Sequence, residues 1–198
     1  MRMFIIFITL ALLVLCSIYV CTRKPVAALP DPEAAIRADY QTLLACVRRS
    51  RSVILYEGLP HQTWEGDVLG TELAAKQTVQ LYDFPFYAEK IGVDHDDVDD
   101  LAELLLDPGT LDLREDGVLI MKMCGGFHPD WCIEWRDGDL VCRFLVCLGC
   151  AEIKAYSGKM TIHGDCDSSV KRFKAILNPY QKNRPAKAKP VAAQASNP

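Results

Sequence analysis

Asp137-Gly138 lies between two segments in which apolar and polar residues alternate, WCIEW and LVCRFLVC. Alternation predicts half-buried strands, and an Asp-Gly pair between such segments is a strong signal for a two-residue β-hairpin loop. If Arg136 pairs with Asp139, one face of the hairpin is apolar. That face contains Trp131, Ile133, Trp135, Leu140, Cys142 and Phe144. We expect this face to be buried, with Cys142 as a packing residue.

The hairpin register also bears on the cysteines of the opposite face. It places Cys132 opposite Arg143, which is about 13 Å from Cys147 at roughly 3.3 Å per residue. A disulfide requires Cα atoms within about 7 Å of each other. The register therefore excludes a disulfide between Cys132 and Cys147, and one zinc ion would not bridge them either.

Further strands and helices are predicted from the rest of the chain. AEIKAY and KMTIH alternate like strands, with Ser157-Gly158 as the turn between them. Three segments carry apolar residues at helical spacing, with start and stop signals at their ends. They are ALPDPEAAIRADYQTLLACVRRSR, DHDDVDDLAELLLDPG and DSSVKRFKAIL. The sequence predicts an α+β fold, an antiparallel β-meander packed against flanking helices.

A single N-terminal transmembrane helix is expected to precede this domain. The chain carries no charge from Met3 to Thr22, a run about as long as the roughly 20 apolar residues that cross a bilayer. Residues 1–24 are therefore predicted to be a membrane anchor, with a cleaved signal segment as the alternative. An amphipathic helix over 25–50 leads into the α+β domain at 51–178. Residues 179–198 are rich in Lys, Ala and Pro without periodicity, which predicts a disordered tail.

Charge and topology limit the partners. The net charge is −4 and the domain has no basic stripe, which argues against nucleic-acid binding. A short tail ahead of an apolar run resembles an export signal, so we expect a single-pass protein with its domain outside the cytoplasm. The membrane is the predicted partner, together with an unidentified protein or small ligand.

The pair Cys147 and Cys150 is open to several interpretations. Inert packing is favoured, and a disulfide, either within the pair or between Cys124 and Cys150, is the first alternative. A dithiol at a helix start would indicate a thiol–disulfide oxidoreductase. A structural zinc site has one possible ligand set, Cys124, His128, Cys147 and Cys150. No cofactor is expected unless zinc occupies that set.

Two loops carry exposed-type aromatic and polar residues together. GLPHQTWEGD contains His61 and Trp64, and FHPDW contains Phe127, His128 and Asp130. Such loops either fold onto the sheet or form a binding surface. No nucleophile elbow, phosphate loop, dinucleotide fingerprint or zincin motif occurs. A non-enzymatic binding or structural module is therefore favoured over an enzyme.

The segments GLPHQ, FPFY, CGGFHPD, the C-x-x-C pair and a closing NRP resemble a group of uncharacterised bacterial proteins. The resemblance covers roughly residues 38 to 185, and CGGFHPD is its most distinctive element. Members of that group also have an N-terminal export or anchor segment. The resemblance implies a bacterial, membrane-associated domain and brings with it no activity, cofactor or catalytic residue.

Overall fold

The computed structural model describes residues 32–50, 52–113, 122 and 125–185 of this chain. The predicted membrane segment 1–24 lies outside these residues. Within the described part, no helix is both long and apolar enough to span a bilayer. The chain divides into the compact units Met1–Ala34 and Ala35–Pro198, and the sheet lies in the second unit.

The described residues form four helices, nine strands and one 3-10 turn. The helices are α1 Pro32–Arg49, α2 Gly66–Ala75, α3 His95–Leu106 and α4 Val170–Leu177, with the 3-10 turn at Asn178–Tyr180. The strands are β1 Val53–Glu57, β2 Thr78–Leu81, β3 Phe84–Tyr87, β4 Ile91–Gly92, β5 Asp112–Leu113, β6 Trp131–Asp137, β7 Leu140–Cys147, β8 Glu152–Ser157 and β9 Met160–Asp165.

Seven strands form one antiparallel sheet in the order β4-β1-β6-β7-β8-β9-β5. Strands β6 to β9 are consecutive in the chain, so the predicted meander is confirmed. Strands β2 and β3 pair only with each other among the strands described, as a separate antiparallel hairpin. The α+β class predicted from the sequence is the one observed.

Helices α1, α3 and α4 cover one face of the sheet. The face predicted to be buried is buried: Trp135, Ile133 and Cys142 have no exposed surface and lie in the main apolar cluster. Leu43 of α1 and Leu104 of α3 belong to the same cluster. The helices pack here because alternate strand residues point to one face and supply a continuous apolar surface.

The β2–β3 hairpin covers the other face. Phe86 packs there with Cys132 and Leu145 in a second apolar cluster. The same face holds the fully buried Glu134, whose Oε2 accepts a hydrogen bond from Arg143 Nε at 2.6 Å. A buried carboxylate requires such a partner, because an unpaired charge in the interior is very costly.

The hairpin register differs from the predicted one by two residues. Asp137 pairs with Leu140, so the loop is Gly138-Asp139 rather than Asp137-Gly138. Gly138 has φ +59°, and a positive φ at the first loop position alone is the requirement of a type II′ turn. A shift of two residues keeps every side chain on its predicted face. Cys132 now pairs with Leu145 instead of Arg143, so its partner lies two residues from Cys147 rather than four, and the predicted separation of about 13 Å is wrong. Cys132 and Cys147 are nevertheless not bonded to each other, because both are free thiols.

The described part of the predicted tail, residues 179–185, also differs from the prediction, and residues 186–198 lie outside the described residues. The sequence predicts a disordered tail from residue 179. Instead, Tyr180 ends a 3-10 turn and donates a hydrogen bond to Asp97 of α3. The backbone N–H groups of residues 182–184 donate to the side-chain carboxylate of Glu57, the last residue of β1. Order here comes from partners elsewhere in the chain, which the local composition does not reveal.

Candidate functional site

Four segments that are distant in sequence meet at one end of the sheet. They are the loop 58–65 after β1, the loop 125–130 before β6, the turn 148–151 between β7 and β8, and residues 181–185. The backbone N–H of Gly58 donates to the carbonyl of Asp130 at 2.8 Å. A Cβ at Gly58 would lie 2.1 Å from the carbonyl oxygen of Pro129, so only glycine permits this approach.

Arg184 connects three of these segments. Its guanidinium lies 2.6 Å from Asp130 Oδ1 and 2.6 Å from Glu65 Oε2, and only 13% of its side chain is exposed. Asp130 Oδ2 accepts the N–H of Leu148 at 2.7 Å, and Glu65 Oε2 accepts the N–H of His61 at 2.8 Å. One side chain therefore orders both loops and, through Asp130, the C-x-x-C turn.

Glu57 fixes the segment that carries Arg184. This carboxylate, at the end of β1, is almost fully buried. It accepts backbone N–H groups from Lys182 at 3.0 Å, Asn183 at 2.7 Å and Arg184 at 2.8 Å. Three donors on one carboxylate replace the water that burial removes. The C-terminal segment is thus held in place through its backbone.

Cys147 and Cys150 lie at the two ends of a tight turn. The turn brings their sulfur atoms to 2.8 Å, and both residues are only 3% exposed. Ala151 completes the turn with φ +57°. Cys150 is disulfide-bonded, and the five other described cysteines are free thiols, so the alternative of a disulfide within the Cys147–Cys150 pair is not the one observed. The other alternative, a disulfide between Cys124 and Cys150, involves a residue outside the described residues.

The sulfur of Cys147 accepts several backbone hydrogen bonds. The N–H of Cys150 lies 3.2 Å from it, and the N–H groups of His128 and Gly149 donate to it as well. Burial raises the pKa of the Cys147 thiol above its ordinary value, while these three donors act to lower it. Burial is the larger effect, so Cys147 remains mostly protonated at neutral pH.

Two histidine rings lie against each other beside this turn, at an interplanar angle of 40°. The ring centroids of His61 and His128 are 4.6 Å apart, and His61 Nδ1 accepts the N–H of Thr63 at 3.0 Å. His61 Nε2 is buried and has no hydrogen-bond partner among the residues that the structure describes. Burial lowers the pKa of His128, and the proximity of His61 and Arg184 lowers it further, against the opposing effect of Asp130.

The predicted surface residues differ in their exposure. Trp64 is 66% exposed, whereas His61, Phe127, His128 and Asp130 are half-buried. Phe127 packs edge-on against Phe84 and His163, at centroid distances of 5.3 and 5.8 Å. Phe127 is thus held from two sides, and Trp64 is the member of this set most available to a partner.

The predicted zinc ligands are only partly described. The structure brings Cys147 and Cys150 together. The backbone of His128 reaches Cys147, while the ring of His128 lies against that of His61. Cys124 lies outside the described residues. Among the residues described, no group of three or more His, Cys, Asp and Glu side chains is placed to hold a metal ion.

Arg184 and Glu57 are missing from the residues predicted from the sequence. Arg184 lies in a segment of tail-like composition, and Glu57 is one acidic residue at the end of a strand. Neither residue belongs to a local sequence pattern that would identify it as part of a site. The NRP triplet of the resemblance is the one signal that includes Arg184.

Comparison of the chain with protein-family models, with curated proteins and with solved structures finds no match.

Proposed function

We propose that this protein is a membrane-anchored, extracytoplasmic binding module. Its binding surface is formed by the loops joined by Arg184 and includes His61, Trp64, Phe127, His128 and Asp130. The observation that carries the proposal is the pair of contacts from Arg184 to Glu65 and Asp130, each at 2.6 Å. These contacts fix two loops relative to each other next to an exposed tryptophan.

Preorganisation supports a binding role for this surface. A loop that is already ordered pays less entropy when a partner binds, and exposed tryptophans on ordered surfaces often contribute much of the binding energy. Trp64 lies between His61 and Glu65, whose hydrogen bond closes the loop around it. The surrounding loops therefore hold an aromatic side chain at the surface without covering it.

The redox state supports the proposed location. A disulfide persists outside the cytoplasm, where thiols are not kept reduced. Cys150 is disulfide-bonded, and the chain begins with an apolar run suited to membrane insertion. Both features agree with an anchored domain on the outer side of the membrane.

The burial of the cysteines favours a binding module over an oxidoreductase that acts on other proteins. A catalytic dithiol must be accessible and easily ionised. Cys147 and Cys150 are each 3% exposed, and burial raises the pKa of Cys147. Another protein would not reach these sulfur atoms in the described conformation.

The segments on which the family resemblance rests surround the proposed surface. Gly58 of GLPHQ forms a β-bridge with Phe86 of FPFY and a hydrogen bond with Asp130 of GGFHPD. Arg184 of NRP contacts Asp130 in turn. The contacts among these segments support the proposal that together they form one binding surface.

Site-specific photocrosslinking in intact bacterial cells tests the binding role. A photoreactive amino acid replaces Trp64 in the full-length protein, and in a control it replaces Lys159, which is exposed in the β8–β9 turn at the opposite end of the strands. We expect a discrete crosslinked partner from position 64 that is absent from position 159. It should be lost when Arg184→Ala is added. No product from position 64, or the same products from both positions, would refute the proposal.

Fusion reporters test the location independently. Alkaline phosphatase, which is active only outside the cytoplasm, and a fluorescent protein that is active inside it are each attached after Pro198. We expect phosphatase activity in the membrane fraction without fluorescence. The opposite pattern, or an active soluble fusion, would contradict the anchored extracytoplasmic arrangement.

A further inference from the structure

A small cavity lies between the end of α2, strand β3 and the C-terminal segment. Its volume is about 250 Å³, and its lining residues are Lys76, Gln77, Tyr87, Ala88, Glu89 and Asn183. Lys76 follows α2 directly, and Tyr87 ends β3. Asn183 belongs to the segment that Glu57 holds. Sites for drug-sized ligands usually enclose about 300 to 1,000 Å³, so this cavity suits a smaller molecule.

The cavity carries one positive and one negative side chain that do not neutralise each other. The ammonium group of Lys76 forms no ion pair with any residue that the structure describes. Glu89 Oε2 accepts a hydrogen bond from Asn183 Nδ2 at 3.0 Å, and this amide is a neutral partner. Two opposite charges that line one cavity without meeting leave room for a ligand that carries both charges itself.

One side of the cavity is fixed by contacts within the protein. Tyr87 is 2% exposed, and its hydroxyl donates to Glu72 Oε2 at 2.8 Å. The backbone N–H of Ala88 donates to the carbonyl of Gln77 at 3.0 Å. These contacts order the lining before a ligand arrives, which lowers the entropy that binding costs.

We propose that the cavity binds a single zwitterionic α-amino acid. The carboxylate of the amino acid lies at the ammonium group of Lys76, and its own ammonium group lies at the carboxylate of Glu89. Asn183 donates through Nδ2, so its Oδ1 accepts a hydrogen bond from the same ammonium group. Charge-assisted hydrogen bonds at both ends are stronger than neutral ones. A molecule with only one of the two charges leaves Lys76 or Glu89 unpaired.

The bound amino acid also holds the C-terminal segment. It joins Asn183 to Lys76 at the end of α2, so its binding opposes release of the segment. Trypsin cleavage after Lys182 requires that release, and a ligand that binds only the closed form slows cleavage about tenfold at about ten times its Kd. The cavity shares no lining residue with the surface around Trp64, so failure of either proposal leaves the other standing.

Calorimetric titration of the full-length protein in detergent micelles tests the proposal. The probes are the common free L-amino acids, added one at a time at millimolar concentration. We expect at least one of them to bind with a stoichiometry of one and to slow trypsin cleavage after Lys182. The primary amide of that amino acid lacks the carboxylate, and its N-acetyl derivative lacks the ammonium group. Each derivative should bind at least about tenfold more weakly than the free amino acid.

Lys76→Ala and Glu89→Gln should each weaken binding by about tenfold, because each removes one charged contact. Both side chains are exposed, so neither change should prevent folding. Lys90→Ala is the matched control, since Lys90 is an exposed lysine next to Glu89 that does not line the cavity. This variant should bind the amino acid like the wild type.

Three results would overturn the proposal. The first is that no amino acid of the panel binds the wild-type protein. The second is that the amide, the N-acetyl derivative or the Lys76→Ala and Glu89→Gln variants show undiminished affinity. The third is binding that leaves the rate of cleavage after Lys182 unchanged, because it would place the amino acid outside this cavity.

Discussion

The guanidinium of Arg184 and the carboxylate of Asp130 form an ion pair of 2.6 Å between residues 54 positions apart in the chain. The second Asp130 oxygen holds the backbone of Leu148 in the C-x-x-C turn. The pair thus links the C-terminal segment to the proposed binding surface and to the cysteines.

Replacing Arg184 with alanine should destabilise the protein. The side chains of Glu65 and Asp130 are only 20% and 21% exposed, and without Arg184 they lose their cation. We expect a loss of about 3 kcal/mol in the free energy of unfolding, measured by urea denaturation. Arg172→Ala, which removes an ion pair with Glu103 from a half-exposed arginine, should cost less than about 1 kcal/mol. Equal losses of unfolding free energy in the two variants would show that the buried ion pairs of Arg184 stabilise the protein no more than a surface ion pair does.

Glu57→Gln should release the C-terminal segment. The amide places an NH₂ group among three backbone donors and removes the negative charge, at a cost of about 2 kcal/mol. The measurement is the rate of trypsin cleavage after Lys182, which should rise. Glu89→Gln is the control, because Glu89 binds only the exposed side chain of Asn183 in this segment. A cleavage rate unchanged in Glu57→Gln would contradict the anchoring role.

Protonation of His128 should contribute to a loss of stability at acidic pH. Burial lowers its pKa in the folded protein, beside His61, Arg184, Asp130 and Glu65. The stability that neutral His128 contributes is therefore complete above pH 6.5, the ordinary pKa of histidine. This stability is lost as the pH falls below that value. The change in melting temperature between about pH 7.5 and pH 5.5 should be smaller in His128→Gln than in the wild type.

The control for this measurement is His95→Gln. The side chain of His95 is 88% exposed in α3 and its ion pair is with the exposed Asp99, so this variant controls for the removal of a histidine away from the site. The same pH dependence in His128→Gln and the wild type would show that His128 does not respond to acid in the folded protein.

Gly58→Ala should disrupt the contact between the two loops. The new Cβ would lie 2.1 Å from the carbonyl oxygen of Pro129, a backbone atom that moves only with its loop. We expect a loss of about 2 kcal/mol or more in unfolding free energy. Gly70→Ala in α2 meets no atom within 4 Å and should instead stabilise by about 0.5 to 1 kcal/mol. A neutral Gly58→Ala would disprove the close approach.

The oxidised protein should not depend on zinc. Zinc requires thiolates, and the sulfur of Cys150 is held in a disulfide, so the set Cys124, His128, Cys147 and Cys150 lacks one ligand in this state. A chelator should leave the melting temperature of the oxidised protein unchanged. Stoichiometric zinc by elemental analysis, together with a lower melting temperature after chelation, would favour the structural zinc interpretation.

The predictions that rest on side-chain alternation are confirmed in the structure. Trp131, Ile133 and Trp135 share the buried face because a strand turns each side chain to the opposite side from its neighbour. The type of hairpin loop was not predictable from the Asp-Gly pair, since Gly138 is compatible with either loop position. The register depended on which position it occupies, and the structure places it first.

The sequence predicted the loop residues of the candidate site. It did not predict the arginine that connects the loops. His61, Trp64, His128 and Asp130 were identified from local composition, because aromatic and polar residues cluster there in the chain. Their common contact, Arg184, lies in a segment whose own composition indicates disorder. Its order depends on Glu57, more than 100 residues away, and no local pattern encodes such a pair.

The sequence by itself determined the antiparallel meander, its buried face and the α+β class, because these follow from periodicities of neighbouring residues. Only the tertiary structure decided that Arg184 joins two loops and that Cys147 touches Cys150. Those contacts depend on how separate strands and turns are placed in space, and an ion pair or a sulfur contact between distant residues leaves no periodic signal in the chain.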